Sequence, residues 1–154
     1  MQPTTSRPKI TVTADGQGVA SHAGSRLLAD LADRTGLTDA LGDALAGLRR
    51  RQSAHDPGRV LTDLAVMLAD GGRGISGLAV LRDRPELFGT VASTATAWRV
   101  LDSIDGTRLD AIRSARAQAR ERLWAQRTET VGPIATSRAA GRGRGCGWSS
   151  MRRW

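Results

Sequence analysis

Apolar residues recur along this chain with a period that changes several times, and each change predicts an element. From Lys9 to Gly24, Ile10, Val12 and Ala14 alternate with polar residues and run into the turn signal Asp15-Gly16, which predicts a short β-hairpin or an extended arm. After Ser25 the spacing becomes helical. Leu27, Leu28 and Leu31 fall at i, i+1 and i+4, and Gly36 follows as a stop, so a helix is expected with these leucines as its apolar face. Thr38 stands where it would cap a second helix, with Asp39 in the first turn and Leu41, Leu45 and Leu48 on one stripe. Arg49, Arg50 and Arg51 then suit the negative end of that helix's dipole.

The segment HDPGRVLTDLAVMLADGG, His55 to Gly72, specifies both of its ends. Asp56 can cap, Pro57 fits the first helical position because its missing N–H would be unpaired there, and Gly71-Gly72 ends the run. Val60, Leu64 and Leu68, with Leu61, Ala65 and Met67, make a broad apolar face, which predicts a central helix that polar substitution at Leu64 would unfold. Asp63 and Asp70 are expected off that face. A shorter helix over Ser76 to Arg82 buries Leu78 and Leu81, and Arg84 to Gly89 makes a turn that tucks in Leu87 and Phe88. Ser93 opens a further helix with Ala97, Val100, Leu101 and Ile104 inward, broken by Asp105-Gly106. The last and longest helix runs from Thr107 to Arg127, with Leu109, Ile112, Ala119 and Leu123 inward and Arg113, Arg116, Arg120 and Arg127 as a basic stripe.

The expected fold is therefore mainly α: a helical domain over residues 9–134 with a short N-terminal hairpin or arm. Residues 1–8 are expected to be disordered. Beyond Gly132-Pro133 the apolar period fails, and residues 135–154, rich in arginine and glycine, are expected to form a disordered basic tail.

Charge sharpens this picture. The 154 residues carry 23 basic and 15 acidic side chains, a net +8, which favours a polyanionic partner. Five arginines and no acid fall between Val131 and Trp154, so only +3 belongs to the rest. Aromatic residues are few and tyrosine is absent, which disfavours stacked single-strand recognition and leaves duplex DNA as the better partner. One cysteine, Cys146, excludes an internal disulfide, and two histidines, His22 and His55, far apart in sequence, make no zinc motif. No window approaches the roughly 18 consecutive apolar residues of a membrane helix, and the N-terminus carries no apolar signal segment, so a cytoplasmic protein is expected.

Candidate chemistry follows the basic residues. Aspartates such as Asp39, Asp56 and Asp105 read as caps or first-turn residues, and no serine stands in a nucleophile elbow. The GRGRGCG stretch lacks the strand and helix that a phosphate cradle needs. Arg49, Arg50, Arg51, Arg59, Arg73, Thr96 and Arg99 are the candidate DNA contacts, because a helix, glycine turn, helix order with a capped helix at Ser93 can bring a helix to a groove. Each arginine taken alone is equally well explained as a solvated surface residue.

Four strings, VTADGQGVASHAG (Val12 to Gly24), HDPGRVLTDLAVMLADGG (His55 to Gly72), LAVLRDRPELFGTVAS (Leu78 to Ser93) and TAWRVLD (Thr96 to Asp102), together resemble the N-terminal region of bacterial insertion-sequence transposases. The subgroup is transposase DDE domain group 1, and the resemblance spans residues 8–134 in order. It implies a helical region that helps bind terminal inverted repeats, followed by an RNase H-like domain whose three acids hold two divalent metals, such as Mg, for strand cleavage and transfer. The sequence departs from the pattern at Ile75-Ser76-Gly77, where the family has Ile-Ser-Asp, and at Ser93-Thr94-Ala95-Thr96, where it has Ser-Asp-Pro-Thr. Both changes are expected to weaken a helix start. After Gly132-Pro133-Ile134 the family's Asp-x-Asp-Ala-Thr is replaced by Ala135-Thr136-Ser137-Arg138, and no acid follows Glu129.

The resemblance thus implies a transposase fragment that binds inverted-repeat DNA without catalytic acids, with no cofactor in this chain and with a tail read out of frame from about Ala135. Such a fragment is not an enzyme. The alternatives are a helical interaction protein that associates with intact transposase and inhibits it by mixed oligomerisation, and a functionless pseudogene product.

Overall fold

The computed structural model describes residues 7–11, 13, 21–48 and 55–132. Among them there are seven α-helices and no strand: α1 (Ala23–Arg34), α2 (Leu37–Ala44), α3 (Pro57–Ala69), α4 (Leu78–Arg82), α5 (Pro85–Phe88), α6 (Thr94–Asp102) and α7 (Gly106–Val131). Two single 3-10 turns, Ala46–Leu48 and Ile75–Gly77, follow α2 and precede α4. The mainly α class is as the periodicity predicts. The expected hairpin turn at Asp15-Gly16 and the tail from Ala135 lie outside the described residues.

α3 is the centre, and both of its predicted ends are realised, although Leu68 and Ala65 of its expected apolar face are exposed. Asp56 accepts the Arg59 N–H through its side chain at 3.1 Å, and Pro57 occupies the first turn. At the other end Gly71 takes φ +96, a left-handed conformation that glycine adopts without a Cβ clash, and donates to the Leu68 carbonyl at 3.1 Å. Val60, Leu64, Val66 and Met67 of α3 pack with Leu78 and Leu81, with Leu87 and Phe88, and with Val91, Ala92 and Ala97. The RPELFG turn is thus a short helix, α5, whose two apolar residues are buried. α2 crosses α3 so closely that a Cβ on Gly58 would fall on the backbone of Gly42 and Leu41.

Three expectations are corrected. First, α1 turns its leucines outward: Leu27, Leu28 and Leu31 are 54%, 41% and 46% exposed, and the buried residues are Ser25, Arg26, Ala29 and Ala32. Polar anchors set that face. Arg26 donates to the carbonyls of Leu87 and Pro8 as well as to Asp30, Ser25 donates to Asp70, and Ala29 is small enough for close approach. Second, α7 rests on Ala115 and Ala119, while Leu109 and Leu123 are exposed and Ile112 is half-buried. Third, Gly36 at φ +70, not Thr38, caps α2; Thr38 is buried and donates to Asp33 Oδ1 at 2.6 Å.

The departure from family pattern at Ser93 leaves α6 properly started. Ser93 Oγ accepts the Thr96 N–H at 3.2 Å. α7 is 26 residues long, or about 39 Å, and from Arg120 to Thr130 every residue is exposed. Among the described residues no helix is long and apolar enough to cross a membrane.

Candidate nucleic-acid interface

Of the seven residues nominated as DNA contacts, Arg49, Arg50 and Arg51 lie outside the described residues. Arg59 is inside the fold. It is 6% exposed, its Nε donates to Asp63 Oδ1 at 3.0 Å, and its Nη2 donates to the Phe88 carbonyl at 2.7 Å. Burial pushes its guanidinium below the ordinary value, Asp63 opposes that shift, and neighbouring Arg7 adds to it. A residue so placed orders α3 and α5; a phosphate cannot reach it without opening the core.

Asp63 is correspondingly buried at 1% exposure, contrary to the expected solvent-facing position. Arg7 completes the cluster, with Nη1 donating to Asp63 at 2.8 Å and Nε to Asp33 at 3.0 Å. Of the residues expected to be disordered before Lys9, Arg7 is described, and it is buried and tied to Asp33 of α1 and Asp63 of α3. The signal for this cluster was local. Arg59 and Asp63 stand at i and i+4, the helical spacing for an ion pair. Only the long-range partner, Arg7, was beyond reach of pattern.

Arg73 and Arg99 remain at the surface. Arg73 is exposed in the connection after α3, two residues before the 3-10 turn Ile75–Gly77, and α6 packs on that turn. The structure thus brings Arg73 and α6 to adjoining elements. Thr94, Ala95, Trp98, Arg99 and Asp102 are the exposed strip of α6, and Trp98 is 59% exposed. Thr96 is half-buried with its hydroxyl 3.1 Å from Ser93 Oγ, which makes it part of the helix start rather than of the exposed strip.

The strip carries Thr94, Trp98 and Arg99 beside one carboxylate, Asp102. Arginine and threonine can contact phosphates or base edges, and the α6 N-terminus adds partial positive charge. Several of the described carboxylates are already engaged. Asp33 and Asp63 accept from Arg7, Asp30 accepts from Arg26, and Asp70 is engaged by Ser25 and by His22, whose Nδ1 is 2.5 Å from Asp70 Oδ2. No group of three His, Cys, Asp or Glu among the described residues is arranged to hold a metal. The three-acid donor set that a pair of divalent ions needs is thus not assembled among the described residues.

Compared with known families, the chain matches the one described as transposase DDE domain group 1 over residues 2–132. No curated protein and no solved structure matches it.

Proposed function

The chain belongs to the transposase DDE domain group 1 family, and from that premise we propose that its helical region binds duplex DNA at the terminal repeats of a mobile element. The contact surface is the exposed strip of α6, led by Arg99 and Thr94, with Arg73 beside it. One observation carries this reading: a properly capped helix presents an arginine, a threonine and a largely exposed tryptophan together, next to a second exposed arginine. An unpaired apolar side chain such as Trp98 beside cations suits packing against sugar and base edges.

In this reading the chain recognises DNA and does not cut it. Family chemistry requires acids that hold metal ions, and the sequence after Gly132-Pro133-Ile134 reads Ala-Thr-Ser-Arg where the family places its first acids.

A salt titration of the full chain on labelled duplex tests the proposal. Affinity for the element's repeat, in excess nonspecific competitor, should fall steeply with salt, and Arg99→Ala should reduce the logarithmic slope by about one. Equal affinity for repeat and scrambled duplex would refute specific recognition. A second reading, association with intact transposase in inhibitory mixed oligomers, is favoured by the apolar side chains left exposed on α7, Leu109, Leu123 and Trp124.

A further inference from the structure

α7 packs on α2 and stands off from α3, and the gap between them is lined almost entirely by carbon. It consists of two adjoining hollows of about 300 and about 400 Å³ that share Leu37, Ala65 and Arg116. Leu28 and Leu31 of α1 with Leu123 of α7 wall the first, and Leu68, Leu101 and Ile112 wall the second. Four of these leucines are among those that the fold leaves exposed: Leu28, Leu31, Leu68 and Leu123 are between 39% and 56% exposed.

The charged residues at the slot are of one sign. Arg116 and Arg120 line the first hollow, Arg116 alone lines the second, and no acid lines either. Three other arginines of α7 are committed: Arg108 pairs with Asp105, Arg113 donates to Asp110 at 2.8 Å, and Arg127 lies 5.7 Å from the Trp124 ring centre; Arg122 lines a separate hollow with Asp39 and Asp43. Arg116 and Arg120 are exposed and have no hydrogen-bond or ion-pair partner among the described residues. They stand one helical turn apart at the edge of an apolar slot.

We infer that this slot is a docking site for an amphipathic helix of a partner protein, one that carries a leucine-like stripe flanked by carboxylates a turn apart. Two hollows in a row accept successive apolar side chains of a helix, the helix-in-groove mode. Guanidiniums spaced i, i+4 then meet carboxylates of matching spacing, and arginine binds carboxylate in a planar, two-pronged fashion. Duplex DNA matches the arginines but has nothing to fill an apolar slot. The chain's own arginine-rich residues 135–154 carry the wrong charge. The inference is independent of the DNA surface on α6.

Fluorescence anisotropy of two synthetic amphipathic peptides against the full chain tests it. Both have leucines at helical spacing; one carries glutamates on its flanks and the other lysines. The glutamate peptide should bind saturably and roughly tenfold more tightly, the scale expected from two exposed ion pairs. Arg116→Glu with Arg120→Glu should abolish or invert that preference, whereas Arg73→Glu with Arg99→Glu, the same change of net charge elsewhere, should leave it. Leu31→Asn should weaken both peptides.

Equal binding of the two peptides, or equal loss from the two charge reversals, would overturn the inference in favour of general attraction to a basic protein. Concentration-dependent self-association in sedimentation that Leu31→Asn removes would overturn it too, because a second copy would then fill the slot. Loss of DNA binding in the Arg116, Arg120 variant would reassign those arginines to phosphate.

Discussion

Arg59 on α3 and Arg116 on α7 are both helical arginines among apolar neighbours, yet one is 6% exposed and bonded to Asp63 and the Phe88 carbonyl while the other is exposed and has no partner among the described residues. Sequence neighbours make much of the difference. Asp63 stands four residues after Arg59, as Asp30 does after Arg26, and Asp110 stands three before Arg113; each pair is formed. Around Arg116 the positions three and four away are Ile112, Arg113, Ala119 and Arg120, none of them acidic. The spacing permits a pair without compelling it, since Asp102 follows Arg99 by three residues and no ion pair joins them. On the α3 side arginine therefore serves the fold, whereas Arg99 on α6 and Arg116 on α7 stay exposed, as the proposed contacts require.

The sharpest way to break this contrast is to remove Asp63. Asp63→Ala leaves Arg7 and Arg59 buried without their shared acceptor, and should cost roughly 3–5 kcal/mol in urea denaturation. Asp110→Ala, at an exposed pair on α7, should cost less than about 1 kcal/mol. Equal costs would mean that burial of the α3 cluster is not what distinguishes it.

Next in size is Gly58→Ala. Its Cβ would fall on backbone atoms of α2 rather than on a movable side chain, so a loss of about 1–3 kcal/mol is expected in the same assay. Gly47, with nothing near its Cβ position, should tolerate alanine. Ser93→Ala removes the acceptor for the Thr96 N–H and should lower stability by about 1 kcal/mol, with a parallel drop in DNA affinity if α6 is the contact helix. The smallest effect belongs to Leu27→Asn, within about 0.5 kcal/mol, because that side chain is 54% exposed. A loss of 2 kcal/mol or more there, measured in roughly the range for core leucine truncation, would restore the leucine face to the interior.

Much of the fold was legible in the sequence where chemistry marks it locally. The Asp56-Pro57 start and Gly71-Gly72 stop of α3, the Ser93 cap of α6, and the burial of Leu78, Leu81, Leu87 and Phe88 follow from residue types and spacing. The faces of α1 and α7 did not. A hydrophobic pattern weights leucine over alanine: it places Ala119 inward, as found, but not Ala29, Ala32 or Ala115, which are also buried, since small residues let helices approach and leave flanking leucines at the margin. Arg59 misled for a related reason: charge usually implies surface, and only the acid at i+4 hinted that this one turns inward. The pinning by Arg7 joins positions 56 residues apart, which no local pattern encodes.

The most direct test of the account compares the DNA affinity of two charge-reversed full-length chains, Arg73→Glu with Arg99→Glu and Arg116→Glu with Arg120→Glu, on the same terminal-repeat duplex. The two variants have identical net charge. The first should lose specific binding while the second keeps it; the opposite result would place the DNA on α7 and contradict the assignment of DNA to the α6 arginine.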